Sequence, residues 1–275
     1  MTIDSVANFR GVAGLPVTGG GVTTDGVLYR SGALAGLSDA DAETLRDLGV
    51  RTVIDLRTPA ERAQAPNRLP GDARCLELPL LEGSMSPEVF HALDNDLTRL
   101  PTLADLYTDM LADGGAVFAE VARTVARADG AVLVHCTAGK DRTGVASALL
   151  LDAVGTGRDA VVANYAESGS HLSGAWAERM LAGLAHTGIP ATPEILALAA
   201  SSPTEAIAAV LDHLDADGGA SAYLRRHGVT DADLDLLREK LVQPVAEERP
   251  AEAHRRTGPE ERPAEARSRT QHHGP

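Results

Sequence analysis

The sequence predicts an α/β fold: a mostly parallel central sheet flanked by helices, followed by a C-terminal half that is helical. Three observations predict it. Up to Gly155, short apolar runs alternate with helix-period segments, the order of a parallel sheet joined by crossover helices. Ala131-Val132-Leu133-Val134 is short, apolar and β-branched, as a strand buried on both faces must be. After Gly155 the helix-period stretches are separated only by Gly, Pro or Ser-Ser.

In chain order, Ser38-Asp39-Ala40-Asp41 resembles a capping box that opens a helix through Leu48, closed by Gly49. Val50 to Leu56 then reads as a strand, and Arg74 to Leu80 as another. Between Leu80 and Leu103 lies a stretch rich in Pro, Asp and Gly, with Ser84-Met85-Ser86-Pro87. It reads either as a lid over a pocket or as an ordinary connection with a short helix, the second being preferred. Val117 to Ala128 forms a helix leading into the 131–134 strand, and Val145 to Leu151 lies on an apolar helix ending before Gly155. Helices are predicted over 158–168, 171–186, 192–200, 203–214, 218–227 and 230–242. From Pro244 onward Pro, Glu, Arg, Ala and His alternate without apolar periodicity. Such a segment cannot bury enough surface to offset its conformational entropy. One folded domain over 1–243 and a disordered tail over 244–275 are therefore expected.

Composition narrows the classes. With 275 residues, 44% of them hydrophobic, the chain can bury a sizeable core. The net charge is −14, and because the tail holds six arginines against six acidic residues, the folded part carries the excess. Nucleic acid and anionic membrane surfaces are repelled on average, and an aromatic content of 3% leaves little for stacking on bases. No apolar stretch reaches the roughly 18 residues of a membrane span. Two cysteines cannot make a disulfide framework, and Met1-Thr2-Ile3-Asp4 opens no basic-then-apolar leader, so a cytoplasmic location is expected. Cys75 reads as a small core residue, with a reversible disulfide to Cys136 as the lesser alternative. The histidines show no metal-ligand spacing, and neither a metal nor another cofactor is expected.

Chemistry concentrates in His135-Cys136-Thr137-Ala138-Gly139-Lys140-Asp141-Arg142-Thr143-Gly144. A strand, a tight loop and a helix N-terminus aim several backbone N–H groups at one point, where an oxyanion would sit. Cys136, at the mouth of that nest, would react as a thiolate. Arg142 returns to the same point, and its planar fork can hold two phosphoryl oxygens in a way lysine cannot. The amides of Thr137, Ala138, Gly139 and Lys140 would hold the remaining oxygens. The Thr143 hydroxyl can hydrogen-bond the sulfur and ease its departure when a phospho-cysteine is hydrolysed. Gly139 and Gly144 allow close backbone approach. The nucleotide-binding pattern G-x-x-x-x-G-K-[ST] fails here, because Asp141 follows Lys140 and no glycine stands five positions before Gly139.

The pattern His135-Cys136-x-x-Gly139-Lys140-Asp141-Arg142-Thr143-Gly144 resembles the signature of cysteine-dependent protein tyrosine phosphatases. Its Gly-Lys-Asp-Arg version resembles a bacterial branch acting on phosphotyrosine and, in some members, on phosphoserine, phosphothreonine or phosphoinositides. Asn8-Phe9-Arg10, Leu28-Tyr29-Arg30-Ser31-Gly32 and Val53-Ile54-Asp55-Leu56-Arg57 with Glu61 are similar to that branch in kind and order. Gly11-Val12-Ala13-Gly14 departs from it, standing where an acidic residue and a glycine pair are expected. The resemblance implies a phosphatase fold and a phosphorylated protein or phosphoinositide substrate. It also calls for a general acid, for which two aspartates compete. Asp141 lies in the loop, as in lipid-directed phosphatases, and Asp55 ends a strand at the carboxyl edge of the sheet. Lys140 would face solvent or a second anionic group, Arg30 and Arg57 would extend the positive field, and His135 would stiffen the loop rather than act as a base. Two other readings stay open: a catalytically silent phospho-binding module and a rhodanese-like sulfurtransferase.

Overall fold

The computed structural model describes residues 3–80, 101–184 and 201–244, together with Gly274. The 81–100 connection, the helix expected over 192–200 and nearly all of the expected tail lie outside the described residues. A five-stranded sheet forms the centre, ordered β1 (Arg10–Gly11), β3 (Leu28–Ser31), β6 (Ala131–His135), β4 (Val50–Asp55), β5 (Arg74–Glu77). Only the β1–β3 pair is antiparallel; β3, β6, β4 and β5 run parallel. A second antiparallel pair joins β2 (Val22–Thr23) to β7 (Val242–Gln243).

The period-2 alternation of the central strands decides what covers each face. Ile54, Val132 and Val134 point to one side. They meet α3 (Leu103–Asp113), α4 (Gly115–Arg127), α5 (Asp141–Ala153), α6 (Arg158–Ala166), α9 (Thr204–Ala216), α10 (Gly219–Arg226) and α11 (Asp231–Leu241) in the larger core. Val53, Ala131 and Leu133 point to the other side and pack with Leu45 of α1 (Asp39–Asp47), Leu34, Leu37 and the N-terminal Ile3 and Val6. Four of the described helices from Asp141 onward besides α5, namely α6, α9, α10 and α11, therefore share one face of the sheet. Three further α-helices, α2 (Pro59–Gln64), α7 (Ser168–His171) and α8 (Ala175–Leu184), and a 3-10 turn at Leu34–Gly36 complete the described elements.

The mostly parallel sheet and the helical second half agree with the sequence. Local details differ. Ser38 caps α1 by accepting from the Asp41 N–H at 3.1 Å, but the Asp41 carboxylate does not close the box on Ser38. It turns instead to the backbone N–H of Ser5 at 2.9 Å and to the Ser5 hydroxyl, pinning the N-terminal segment against the helix. Gly49 follows α1 with φ +77°, the left-handed exit the sequence implied. No helix among the described residues is long and apolar enough to cross a membrane.

Candidate active site

β6 ends at His135, the chain turns through Cys136–Lys140, and α5 begins at Asp141. The loop is held from behind by its carbonyls. The Ala33 N–H donates to Thr137 O at 3.0 Å, Asn8 Nδ2 donates to Ala138 O at 3.1 Å and Gly139 O at 2.8 Å, and Arg30 Nη2 donates to Gly139 O at 2.9 Å. A peptide unit is planar and trans, so a carbonyl drawn outward turns the next amide inward. The Gly139 N–H accordingly donates to Cys136 Sγ at 3.3 Å. Gly139 has φ +71°, and a Cβ there would lie 2.3 Å from Ser31 C and O, so only glycine lets the loop rest on the end of β3. Asn8 itself holds φ +58°, a conformation asparagine tolerates better than most residues. The N-terminal motifs thus act as the back wall of the loop. Arg30 is one of them: burial lowers its pKa to about 9 against the opposing pull of Cys136, and it donates to Gly139 O and Asn164 Oδ1.

Cys136 is 2% exposed, at the floor of the site. Arg142, in the first turn of α5, is gripped by Glu61 of α2. Nη1 donates to Glu61 Oε2 at 2.7 Å and Nη2 to Glu61 Oε1 at 2.6 Å. Nη1 also reaches Leu56 O at 3.4 Å and Nη2 reaches Thr137 Oγ1 at 3.3 Å. Nε has no partner among the described residues. The edge formed by Nε and Nη2 is therefore the one left to take two phosphoryl oxygens, at the expense of the long Thr137 bond. Burial works against the Arg142 charge, but the Glu61 hydrogen bonds and the nearby Cys136 and Asp141 raise its pKa above the ordinary arginine value. Asp141, with a side chain 35% exposed, accepts on Oδ1 from Tyr107 Oη at 2.6 Å, and Lys140 Nζ lies 3.2 Å from the same oxygen.

A cysteine held in an amide nest beside a fixed arginine fork is equipped to exchange a phosphoryl group. The family described as the tyrosine phosphatase family matches residues 1–243. The chain belongs to that family. Among the relatives of this phosphatase family, a protein of Cupriavidus necator named provisionally as a tyrosine-protein phosphatase is 37% identical over 171 residues, 61% of this chain and 62% of the relative. A tyrosine-protein phosphatase of Nostoc commune is 41% identical over 148 residues, 53% of this chain and 49% of its own. The triple specificity protein phosphatase PtpB of Mycobacterium tuberculosis is 36% identical over 188 residues, 58% of this chain and 66% of its own. The chain therefore spans between half and two thirds of the length of these curated relatives.

Not every residue singled out from the sequence of this tyrosine phosphatase family member reaches the pocket. Asp55 is 0% exposed, and both its oxygens are taken. Arg57 donates to it from its N–H, Nε and Nη2 at 2.9, 3.0 and 2.8 Å, Asn67 Nδ2 donates at 2.8 Å, and His135 Nε2 lies 3.6 Å away. Burial works to raise the Asp55 pKa, but these partners carry it below the usual aspartate value. The carboxylate is thus enclosed by Arg57, Asn67 and His135. Arg57, expected over the pocket, is likewise buried, on Asp55, Asn67 and the Ala65 carbonyl. Lys140 is buried rather than solvent-facing, and its Nζ donates to Ser201 O at 3.0 Å. Thr143 is buried, but its hydroxyl makes no bond to Cys136; it has no hydrogen-bond partner among the described residues.

His135 sits at the same level as Asp55 across β4–β6, and its Nδ1 lies 3.2 Å from Cys136 O. Burial lowers its pKa to about 4 against the opposing pull of Asp55, so the ring is neutral at neutral pH. The Cys75–Cys136 disulfide is excluded by topology. Cys75 on β5 packs in the smaller core and Cys136 in the larger one across the sheet, with β4 between their strands. Two strand spacings amount to about 9.5 Å, beyond a disulfide's reach. Sequence reasoning placed Glu61 in a motif but gave it no work, and it passed over Tyr107. Among the described residues no group of three or more His, Cys, Asp or Glu side chains is arranged to hold a metal.

Proposed function

We propose that this chain is a phosphomonoester hydrolase, a protein tyrosine phosphatase acting through a phospho-cysteine. The observation that carries the reading is the convergence on one loop of Cys136 Sγ, the Gly139 amide aimed at it and the Arg142 guanidinium fixed by Glu61. In the first step the Cys136 thiolate attacks phosphorus. The Nε–Nη2 edge of Arg142 and the inward amides of the loop hold the equatorial oxygens as charge shifts. Asp141, part-exposed at the start of α5, protonates the leaving oxygen. In the second step Asp141 takes a proton from water as that water cleaves the P–S bond.

Phosphotyrosine is the proposed principal substrate, with phosphoserine, phosphothreonine and phosphoinositides as further ones. The name of the triple specificity relative PtpB supports a wide range. Lys140, whose Nζ donates to Ser201 O, is the group proposed to meet a second anionic group. We take residues 1–243 as the catalytic unit, in keeping with the compact unit Met1–Val245. A reducing, cytoplasmic setting suits a reactive thiol and two free cysteines.

The test is phosphate release from a phosphotyrosine peptide without added metal, comparing wild type with Cys136→Ser. Turnover in the first and none in the second, with phosphate still bound by both, is the expected result. Retained turnover by Cys136→Ser would sink the mechanism. Phosphate binding without turnover in wild type would make the chain a phospho-binding module, and cyanide-dependent thiocyanate formation would make it a sulfurtransferase.

A further inference from the structure

Two buried tyrosines with no place in the chemistry above stand directly behind Asp141. Tyr107 of α3 donates to Asp141 Oδ1 at 2.6 Å, and its oxygen lies 2.7 Å from the hydroxyl of Tyr165 on α6. A phenol has one proton. That of Tyr107 is spent on Asp141, so Tyr165 donates to Tyr107 and the chain runs Tyr165 to Tyr107 to Asp141. The rings meet edge to face, with centroids 6.0 Å apart. Tyr165 is itself pressed on α5, because a Cβ at Gly144 would lie 2.9 Å from its ring. The pair is thus anchored to the same helix that carries Asp141 and Arg142.

We propose that Tyr107, backed by Tyr165, is a positioning residue that fixes Asp141 with Oδ1 turned inward and Oδ2 outward, so that the acid proton is presented on Oδ2 to the leaving oxygen. The proposal rests on the reading of Asp141 as proton donor. Among the described residues, the groups facing Asp141 are Tyr107, Tyr165, Lys140 and, along α5, Arg142. Lys140 lies 3.2 Å from Oδ1, and an ammonium has no lone pair with which to accept. A proton on Oδ1 would therefore face both that cation and the Tyr107 donor, whereas among the described residues no hydrogen-bond donor is placed on Oδ2. Burial and the Asp141 charge hold Tyr107 well above the ordinary tyrosine pKa, so it remains a donor throughout. As the Oδ2–H bond breaks, the proton passes to the leaving oxygen, whose bond to phosphorus breaks while the P–Sγ bond forms. Negative charge then grows on Asp141, and the Tyr107 hydrogen bond strengthens in step with it. This is stabilisation of the transition state more than of the bound substrate.

The test compares kcat and KM for 4-nitrophenyl phosphate, which needs little acid help, and phenyl phosphate, which needs much. It uses wild type, Asp141→Asn, Tyr107→Phe, Tyr165→Phe and the Tyr107→Phe/Asp141→Asn double variant. Removing a general acid costs about 10²-fold or more, and loosening one should cost roughly tenfold. Tyr107→Phe is thus expected to lower kcat about tenfold on phenyl phosphate and less than about twofold on the nitrophenyl ester, with KM unchanged, and to have no further effect once Asp141 is gone. Tyr165→Phe should show the same preference more weakly. A Tyr107→Phe loss that is equal on both esters, absent, or additive with Asp141→Asn overturns the proposal. If Asp141→Asn itself fails to discriminate between the esters, the acid assignment falls first and the proposal with it. Urea midpoints of the variants separate a folding defect from either result.

Discussion

Glu61→Gln removes a charge from the site with almost no change of shape, and its cost follows from the pair Glu61 makes with Arg142. Burial works to raise the Glu61 pKa, but the Arg142 hydrogen bonds and charge pull it from 4.5 to about 2. At about 1.4 kcal/mol per unit, that depression corresponds to about 3 kcal/mol favouring the folded state. The Glu61 side chain is 31% exposed, and water screens the pair. About half that figure, roughly 1.5 kcal/mol, is the expected loss in Glu61→Gln at neutral pH. The folded pKa lies below the unfolded one. The contribution is therefore complete above the unfolded value of 4.5 and is lost as the pH falls through about 2. Urea titrations of wild type and variant should differ by roughly 1.5 kcal/mol at neutral pH, a gap that narrows by about two fifths near pH 3.5. In phosphate-release assays the variant should lose about tenfold in kcat/KM, because a carboxamide accepts from only one terminal nitrogen and lets the fork swing. A stability gap that is absent at neutral pH, or as wide in acid, would refute the view that Glu61 holds Arg142 as an ionised carboxylate.

Two further substitutions probe the walls of the site. Gly139→Ala forces a Cβ to within 2.3 Å of the Ser31 backbone at φ +71°. It should cost about 2–4 kcal/mol and displace the amide that faces Cys136; wild-type stability with full turnover would show that the loop does not rest on β3. Asp55→Asn strands the buried Arg57 guanidinium, and a loss of about 3 kcal/mol in urea titration is expected, with the ratio of rates on phenyl and nitrophenyl esters unchanged. Intact stability together with a selective loss on phenyl phosphate would instead make Asp55 the proton donor.

What the sequence made legible is what chain-local physics decides. The strand into Cys136, the tight loop and the apolar helix after Arg142 are adjacent in sequence, and their patterns survive folding unchanged. Helix α3 is equally local in its signals. Thr102 and Asp105 form a reciprocal cap, and the buried Leu103, Leu106, Tyr107, Met110 and Leu111 fall at helical spacing. Without α3, Tyr107 could not be brought to Asp141, 34 residues away. The enclosure of Asp55 is hidden in the sequence for a different reason. The carboxyl edge of a parallel sheet is where ligands bind, but the same edge also accepts a buried ion pair. Only the fold shows Arg57 and Asn67 closing over the carboxylate.

Glu61 joins the local and the distant in one carboxylate. Thr58-Pro59-Ala60-Glu61 opens α2 with a proline at its first turn and a capping box. The Thr58 N–H donates to Oε2 at 2.8 Å, so the residue is fully explained as a helix cap from its neighbours alone. Yet Oε2 and Oε1 also take Nη1 and Nη2 of Arg142, and Oε1 receives the Thr137 hydroxyl of the loop. The cap holds the carboxylate's orientation at no extra entropic cost, since the first turn of α2 must be ordered in any case. The arginine it holds is then pre-aligned before an oxyanion arrives. A residue whose local role is sufficient hides its second role from sequence reasoning, and here that second role is to set the angle of the Arg142 guanidinium.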